Sequence, residues 1–145
     1  MLNTRSASRA LTLLLRVIGG SSLLALIFVA APESWMAAIH AGLDMGPLPT
    51  EPIVGYLARS TSAFYAITGG LLWVISTDLV RHRAVLLYLG WAITLFGVVL
   101  LVVDVLEGMP LSWTLWEGPF VGLFGVAILW LTRYVDRPQP RTVPE

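Results

Sequence analysis

Four apolar runs, each about as long as a membrane-spanning helix, constrain this chain more than any other feature of its sequence. They cover residues 11–31, 59–79, 84–106 and 118–135. A bilayer core about 30 Å thick needs about 20 mostly apolar residues in a helix, and the runs lack the alternation of a strand. Lipid cannot hydrogen-bond backbone amides, so such segments have to be helical. The sequence therefore predicts an all-α integral membrane protein, an up-down-up-down four-helix bundle.

The low content of charge supports lipid as the solvent. Only 12% of the 145 residues are charged, and 57% are hydrophobic, whereas a soluble domain carries about 25% charged residues. A net charge of zero gives no reason to expect a nucleic-acid partner. The absence of cysteine excludes disulfides and thiolate metal sites, and we expect no cofactor.

The arginines predict the orientation of the chain in the membrane. All nine basic residues are arginines, and eight of them fall on one side of the predicted spans. These eight are Arg5, Arg9, Arg16, Arg81, Arg83, Arg133, Arg137 and Arg141. The positive-inside rule places this side in the cytoplasm. We therefore expect a multi-pass protein of a cell inner membrane with both termini cytoplasmic.

The chain divides into a cytoplasmic segment (1–10), one transmembrane domain (11–135) and a disordered, proline-rich cytoplasmic tail (136–145). An alternative is that residues 1–31 form a signal peptide cleaved before Pro32. Between the first two spans, Trp35, Ile39 and Leu43 recur at helical spacing, which predicts a short interfacial helix. Pro52 can open the next helix. The tight turn at 81–83 predicts that the second and third spans are antiparallel neighbours.

Small residues form a stripe on each of the last three spans, and such stripes let membrane helices pack closely. The predicted packing residues are Gly55, Ala58, Ser62, Ala66, Gly69 and Gly70 in the second span, Gly90 and Gly97 in the third, and Gly118, Gly122 and Gly125 in the fourth.

The sequence carries no motif for catalysis or for metal binding. The two histidines, His40 and His82, lie on opposite sides of the membrane in the predicted topology, so they cannot share a metal or a haem. HExxH, GxSxG and phosphate-binding loop patterns are absent. We assign no catalytic, cofactor-binding or metal-binding residue, and we do not expect an enzyme.

Arg59 is the only basic residue on the predicted outer side, so it runs against the charge bias and needs a local reason. Counted from the inner turn, Arg59 and Asp104 both lie about 32 to 33 Å away at 1.5 Å per residue. We therefore predict an ion pair between them, with Glu107 and Glu117 as alternative acceptors. Tyr56 and Tyr65 would complete an outward-facing polar pocket. The alternative is that Arg59 reaches lipid phosphate.

The stretch GYLARSTSAFYAITGGLLW, with the later GW and EGPF, resembles the small bacterial four-helix membrane proteins of unknown function grouped as DoxX-like. These often have an arginine near the outer start of helix two, then a stripe of small residues and a glycine pair. Arg59, Ala66, Gly69 and Gly70 match that pattern. Some DoxX-like proteins are membrane subunits of redox or thiosulfate-handling complexes, but a chain without cysteine or a histidine pair gives no support for that activity.

Three hypotheses about function follow, of which the third is a membrane enzyme that uses Arg59 and the outer acidic residues on a lipid headgroup. The first is a non-enzymatic accessory subunit in the lipid bilayer that binds a protein partner or a second copy of itself. The alternative is a small-solute carrier or channel that acts as an oligomer, with Arg59, Ser62, Tyr65 and Thr94 as its polar lining.

Overall fold

The computed structural model describes residues 3–135, and all regular secondary structure within this range is helical. The all-α prediction is therefore confirmed. The helices are α1 (Thr4–Leu23), α2 (Leu26–Ala30), α3 (Glu33–Gly42), α4 (Pro52–Ile75), α5 (Arg83–Leu106) and α6 (Leu111–Thr132). The predicted tail at 136–145 lies outside the described residues.

Three helical segments within this range are long and apolar enough to cross a membrane. They are Thr4–Ala30, which joins α1 and α2, and the helices α5 and α6. Their mean hydropathies reach 2.2, 2.5 and 1.5. The helix α4 has 24 residues, but Arg59 and several hydroxyl residues make it less apolar than the other three.

Local signals explain where the helices begin and end. The side chain of Asn3 accepts a hydrogen bond of 2.8 Å from the backbone N–H of Ser6 and so caps α1. The helix α1 therefore takes in most of the segment that we expected to precede the first span. The helix α4 begins at Pro52, earlier than the predicted residue 59. A proline suits a first turn, where its missing N–H would have no helical partner. A helix does form after Pro32, as expected.

The long helices associate in two pairs. Extensive contact joins α5 to α6 and joins α1 and α2 to α4, while α1 also touches α6. Our expectation that the spans on either side of the turn at 81–83 are direct neighbours was wrong, because α4 packs on α1 and α5 packs on α6.

Close approach of backbones at glycine explains this pairing. A Cβ on Gly69 would lie 2.5 Å from the carbonyl oxygen of Gly19. A Cβ on Gly97 would lie 2.7 Å from the carbonyl oxygen of Gly118. Both distances are shorter than real Cβ contacts, so each seam exists only because a side chain is missing there.

One apolar core joins the two pairs at a single end of the molecule. It combines the first half of α1, the end of α4, the start of α5 and the end of α6. The buried members are Ala7, Leu11, Leu15, Leu72, Ile75, Leu79, Leu86, Ile128, Leu131 and Val135. The opposite end, which carries α3 and the turn between α5 and α6, is called the α3 end below. Both candidate sites lie there.

Candidate functional sites at the α3 end

A cavity of about 480 Å³ lies between α3, the loop 43–51 and the first half of α4. Its wall is mostly apolar, and the larger apolar side chains are those of Phe28, Met36, Ile39, Leu43, Met45 and Leu48. Its polar groups are those of Glu33, His40, Glu51, Tyr56, Arg59 and Ser62. This volume and this composition are typical of sites for small molecules.

The end of α2 positions Arg59 in this cavity. Its Nη1 donates a hydrogen bond of 2.6 Å to the carbonyl oxygen of Val29, and its Nη2 donates one of 3.0 Å to that of Ala31. The last carbonyls of a helix have no partner within the helix. A cation at this position is also favoured by the helix dipole.

This geometry leaves the predicted ion pair without support. The guanidinium of Arg59 binds backbone carbonyls, and Oδ2 of Asp104 has no hydrogen-bond partner. The physical reason is that α4 and α5 belong to different helix pairs. An equal depth therefore does not bring the two side chains together.

The loop that closes the cavity folds back onto α3. Nδ1 of His40 donates to the carbonyl oxygen of Gly46 at 3.0 Å. The loop turns through Asp44 and Gly46, whose φ angles are 62° and 80°, and at Gly46 the absence of a Cβ removes the strain. The hydrogen bond from His40 thus helps to hold the cavity in shape.

A second polar group lies on the seam between α5 and α6. Asp104 is 4% exposed, and its Oδ2 is buried without a hydrogen-bond partner. It lies on the same face of α5 as Gly90 and Gly97, which is pressed against α6. The small-residue stripe that pairs these helices therefore also buries the carboxylate.

Glu117 lies near Asp104 on the facing helix. Its Oε2 accepts a hydrogen bond of 2.7 Å from Nε1 of Trp113. Asp104 and the phenol of Tyr65 are both within electrostatic range of this carboxylate. Glu117 is therefore the group that both Asp104 and Tyr65 can influence electrostatically.

The predicted outer pocket thus separates into two groups. Arg59 and Tyr56 line the cavity, whereas Asp104, Glu117 and Tyr65 do not. The exposed residue Glu107 ends α5, outside the cavity lining.

The sequence did not predict that two glutamates, Glu33 and Glu51, line the cavity, and it did not predict most of the cavity's apolar wall. It did not assign Phe28, Glu33, Met36 and Glu51 to a site. The only available signal was the amphipathic pattern of residues 32–43, which predicted the helix but not the fold of the loop over it.

Within residues 3–135, no group of three or more histidine, aspartate and glutamate side chains is placed to hold a metal ion. No protein-family model, curated protein or solved structure matches this chain.

Proposed function

We propose that this chain is a multi-pass protein of a bacterial inner membrane and acts as a non-enzymatic, partner-binding subunit. In this proposal α1 with α2, α4, α5 and α6 form a four-helix bundle with both termini in the cytoplasm, and residues 1–31 are retained. Retention is supported by the burial of Ala7, Leu11 and Leu15 in the core. The resemblance to DoxX-like proteins is part of the proposal, since some of those are subunits of membrane complexes.

The observation that carries the proposal is an unpartnered seam on α4. Its exposed residues recur at alternating spacings of three and four, which is the pattern of a helix-packing stripe. We call this stripe the α4 seam, and it consists of Leu57, Ser60, Phe64, Ile67, Leu71 and Val74. It points away from Ala66 and Gly69, which are buried against α1.

The polar residues beside the seam distinguish it from an ordinary lipid-facing surface. Ser60 lies within it, and the hydroxyls of Thr61 and Thr68 flank it. The exposed faces of α5 and α6, in contrast, are dominated by large apolar side chains such as Leu95 and Leu123. Because hydroxyl side chains help membrane helices to associate, the α4 seam fits a partner helix better than lipid tails.

Site-specific photo-crosslinking in cells tests this proposal. A photoreactive amino acid would replace Phe64 or Ile67, which are 67% and 71% exposed. The controls would replace Leu95 or Leu123, which are 65% and 68% exposed. We expect discrete protein adducts from the two α4 positions only, identified by mass spectrometry. A dimer of this chain would indicate a homo-oligomer, and a different protein would indicate an accessory subunit.

The proposal fails if the α4 positions give no protein adduct, or if the four positions give the same adducts. The matched exposure of the four residues makes the comparison independent of how far each side chain reaches from the helix.

One observation favours the alternative of a small-solute carrier. The orphaned carboxylate oxygen of Asp104, with Glu117 near it, is typical of groups that bind protons or cations inside membranes. The test is flux into proteoliposomes of protons and small cations, with Asp104→Asn as the comparison. Flux that the substitution leaves unchanged, or no flux at all, would remove the carrier as a candidate.

A further inference from the structure

We infer that the cavity at the α3 end binds one phospholipid whose headgroup carries both a phosphate and an ammonium. This inference concerns a different surface from the α4 seam and does not depend on which protein partner that seam takes. It depends on the location of the molecule in a membrane, which the three span-length helices indicate.

The charged groups of the cavity have both signs. Arg59 supplies a guanidinium, while Glu33 and Glu51 supply two carboxylates. The hydrogen bonds to Val29 and Ala31 use two of the five guanidinium N–H groups. The remaining donors can bind a phosphate, for which arginine geometry is well suited.

The two glutamates are available to a cationic group. Both are exposed, Glu33 in the first turn of α3 and Glu51 at the start of α4. The α-helical rise of 1.5 Å per residue puts Glu51 about 12 Å along the axis of α4 from Arg59. Glu33 follows Ala31, whose carbonyl Arg59 binds, closely in the chain. An anionic headgroup without an amine would meet these carboxylates unfavourably, whereas an ammonium would offset one of the two negative charges.

The wall of the cavity fits an acyl chain. Phe28, Met36, Ile39 and Leu43 present a continuous apolar lining, and methionine and aliphatic side chains adapt to a flexible chain. The volume of about 480 Å³ lies within the range of sites that hold one small ligand, so the cavity would take the headgroup and part of one acyl chain, and the rest of the lipid would lie in the bilayer. The apolar wall can contact an acyl chain and the charges of both signs can contact a headgroup, so the cavity fits an amphiphile better than a free ion.

Lipid binding to the full chain tests the inference. The protein would be placed in nanodiscs made of equal parts phosphatidylethanolamine and phosphatidylglycerol, without phosphatidylcholine, whose headgroup also carries a phosphate and an ammonium. Retained lipid would be counted by native mass spectrometry. We expect phosphatidylethanolamine to be retained about tenfold better, since one charge-assisted hydrogen bond is worth at least that factor. Equal retention of the two lipids, or preference for the glycerol headgroup, would overturn the inference.

Two sets of variants localise the binding. The double substitution Glu33→Gln and Glu51→Gln should remove the preference while leaving the fold intact, because both side chains are exposed. Met36→Trp should fill the cavity and lower retention of both lipids, whereas Leu95→Trp on the exposed face of α5 should not. A lipid preference unchanged in the double variant, or lipid retention unchanged in Met36→Trp, would place the lipid elsewhere and refute the assignment.

A soluble competitor separates a lipid from a small metabolite with the same headgroup. Phosphoethanolamine has the phosphate and the ammonium but no acyl chain. We expect it not to displace bound phosphatidylethanolamine at equal concentration, because the apolar wall supplies part of the affinity. Displacement at equal concentration would show that the cavity binds a soluble ligand and would overturn the inference that its ligand is a lipid.

Discussion

Asp104 is a buried residue whose carboxylate is incompletely hydrogen-bonded. It is 4% exposed, and Oδ2 has no hydrogen-bond partner among residues 3–135. An unsatisfied buried polar group costs about 1–3 kcal/mol, and more when it is charged. We predict that Asp104→Asn raises the free energy of unfolding in detergent by less than this cost, because the substitution removes the formal charge but leaves a polar amide in the same place.

The control for Asp104 is Glu107→Gln at the exposed end of α5, which should change stability by less than about 0.5 kcal/mol. Should Asp104→Asn instead lower stability, the carboxylate would have a stabilising partner, such as a bound cation, and the burial argument would be wrong.

Arg59 and Asp104 should contribute to stability independently. Arg59→Ala removes two hydrogen bonds from a charged donor, each worth about 1.5–3 kcal/mol. Arg59→Lys should recover only part of this lost stability. Lysine keeps the positive charge, but its ammonium lacks the planar fork that reaches two carbonyls. In a double-mutant cycle with Asp104→Asn, we expect the effects to add within about 0.5 kcal/mol. A larger coupling energy would support the ion pair between Arg59 and Asp104 that the sequence predicted.

Counting residues from the inner turn fixes depth in a bilayer but not direction around the bundle. The count therefore put Arg59 and Asp104 at one level, although they belong to different helix pairs. The true partners of Arg59 are carbonyls freed where α2 ends. Pro32 marks this helix end in the sequence, but no sequence pattern shows which side chain meets its free carbonyls.

At the scale of helices, the seam between α5 and α6 offers a matched pair of glycines. A Cβ on Gly97 would clash with the backbone of Gly122 and Gly118, whereas a Cβ on Gly122 would lie 3.8 Å from the nearest atom outside its own helix. We predict that Gly97→Ala lowers the free energy of unfolding by about 1–3 kcal/mol and that Gly122→Ala has little effect. Unfolding in a mixed-detergent titration measures both, and equal losses would show that the seam is packed differently.

The adjacent glycines of α4 make the same test for the other seam. A Cβ on Gly69 would lie 2.5 Å from the carbonyl oxygen of Gly19, whereas a Cβ on Gly70 would have no neighbour within 4 Å. Gly69→Ala should therefore loosen the pairing of α1 with α4. Gly70→Ala should instead stabilise by up to about 1 kcal/mol through helix propensity. The reverse order of the two melting temperatures would contradict this arrangement of α1 and α4.

The stripes of small residues were readable from sequence, but their pairing was not. Gly90, Gly97, Gly118 and Gly125 all meet backbone or side-chain atoms of the opposite helix. Gly55 and Gly70, counted in the same stripe as Gly69, meet nothing. Periodicity identifies a face about one third of the helix wide, and a seam uses only part of it. Proline at 52 and the apolar runs were strong local signals, so the helices themselves were predicted well.

At the scale of the whole molecule, the proposed topology places the α3 end outside the cytoplasm and the turn at 81–83 inside. The chain contains no cysteine, so single cysteines can be introduced without a background signal. Met45 in the loop over the cavity and Arg81 in the turn between α4 and α5 are suitable positions.

We predict that a membrane-impermeant maleimide labels Met45→Cys in cells whose outer membrane has been permeabilised, and labels Arg81→Cys only after the inner membrane is disrupted. The physical reason is the charge asymmetry, since arginine-rich connections are retained in the cytoplasm. Labelling of Arg81→Cys in cells with an intact inner membrane would show that the true topology is the inverse of the proposed one. It would move the lipid cavity to the cytoplasmic leaflet and leave the pairing of the helices unchanged, because that pairing follows from the glycine contacts alone.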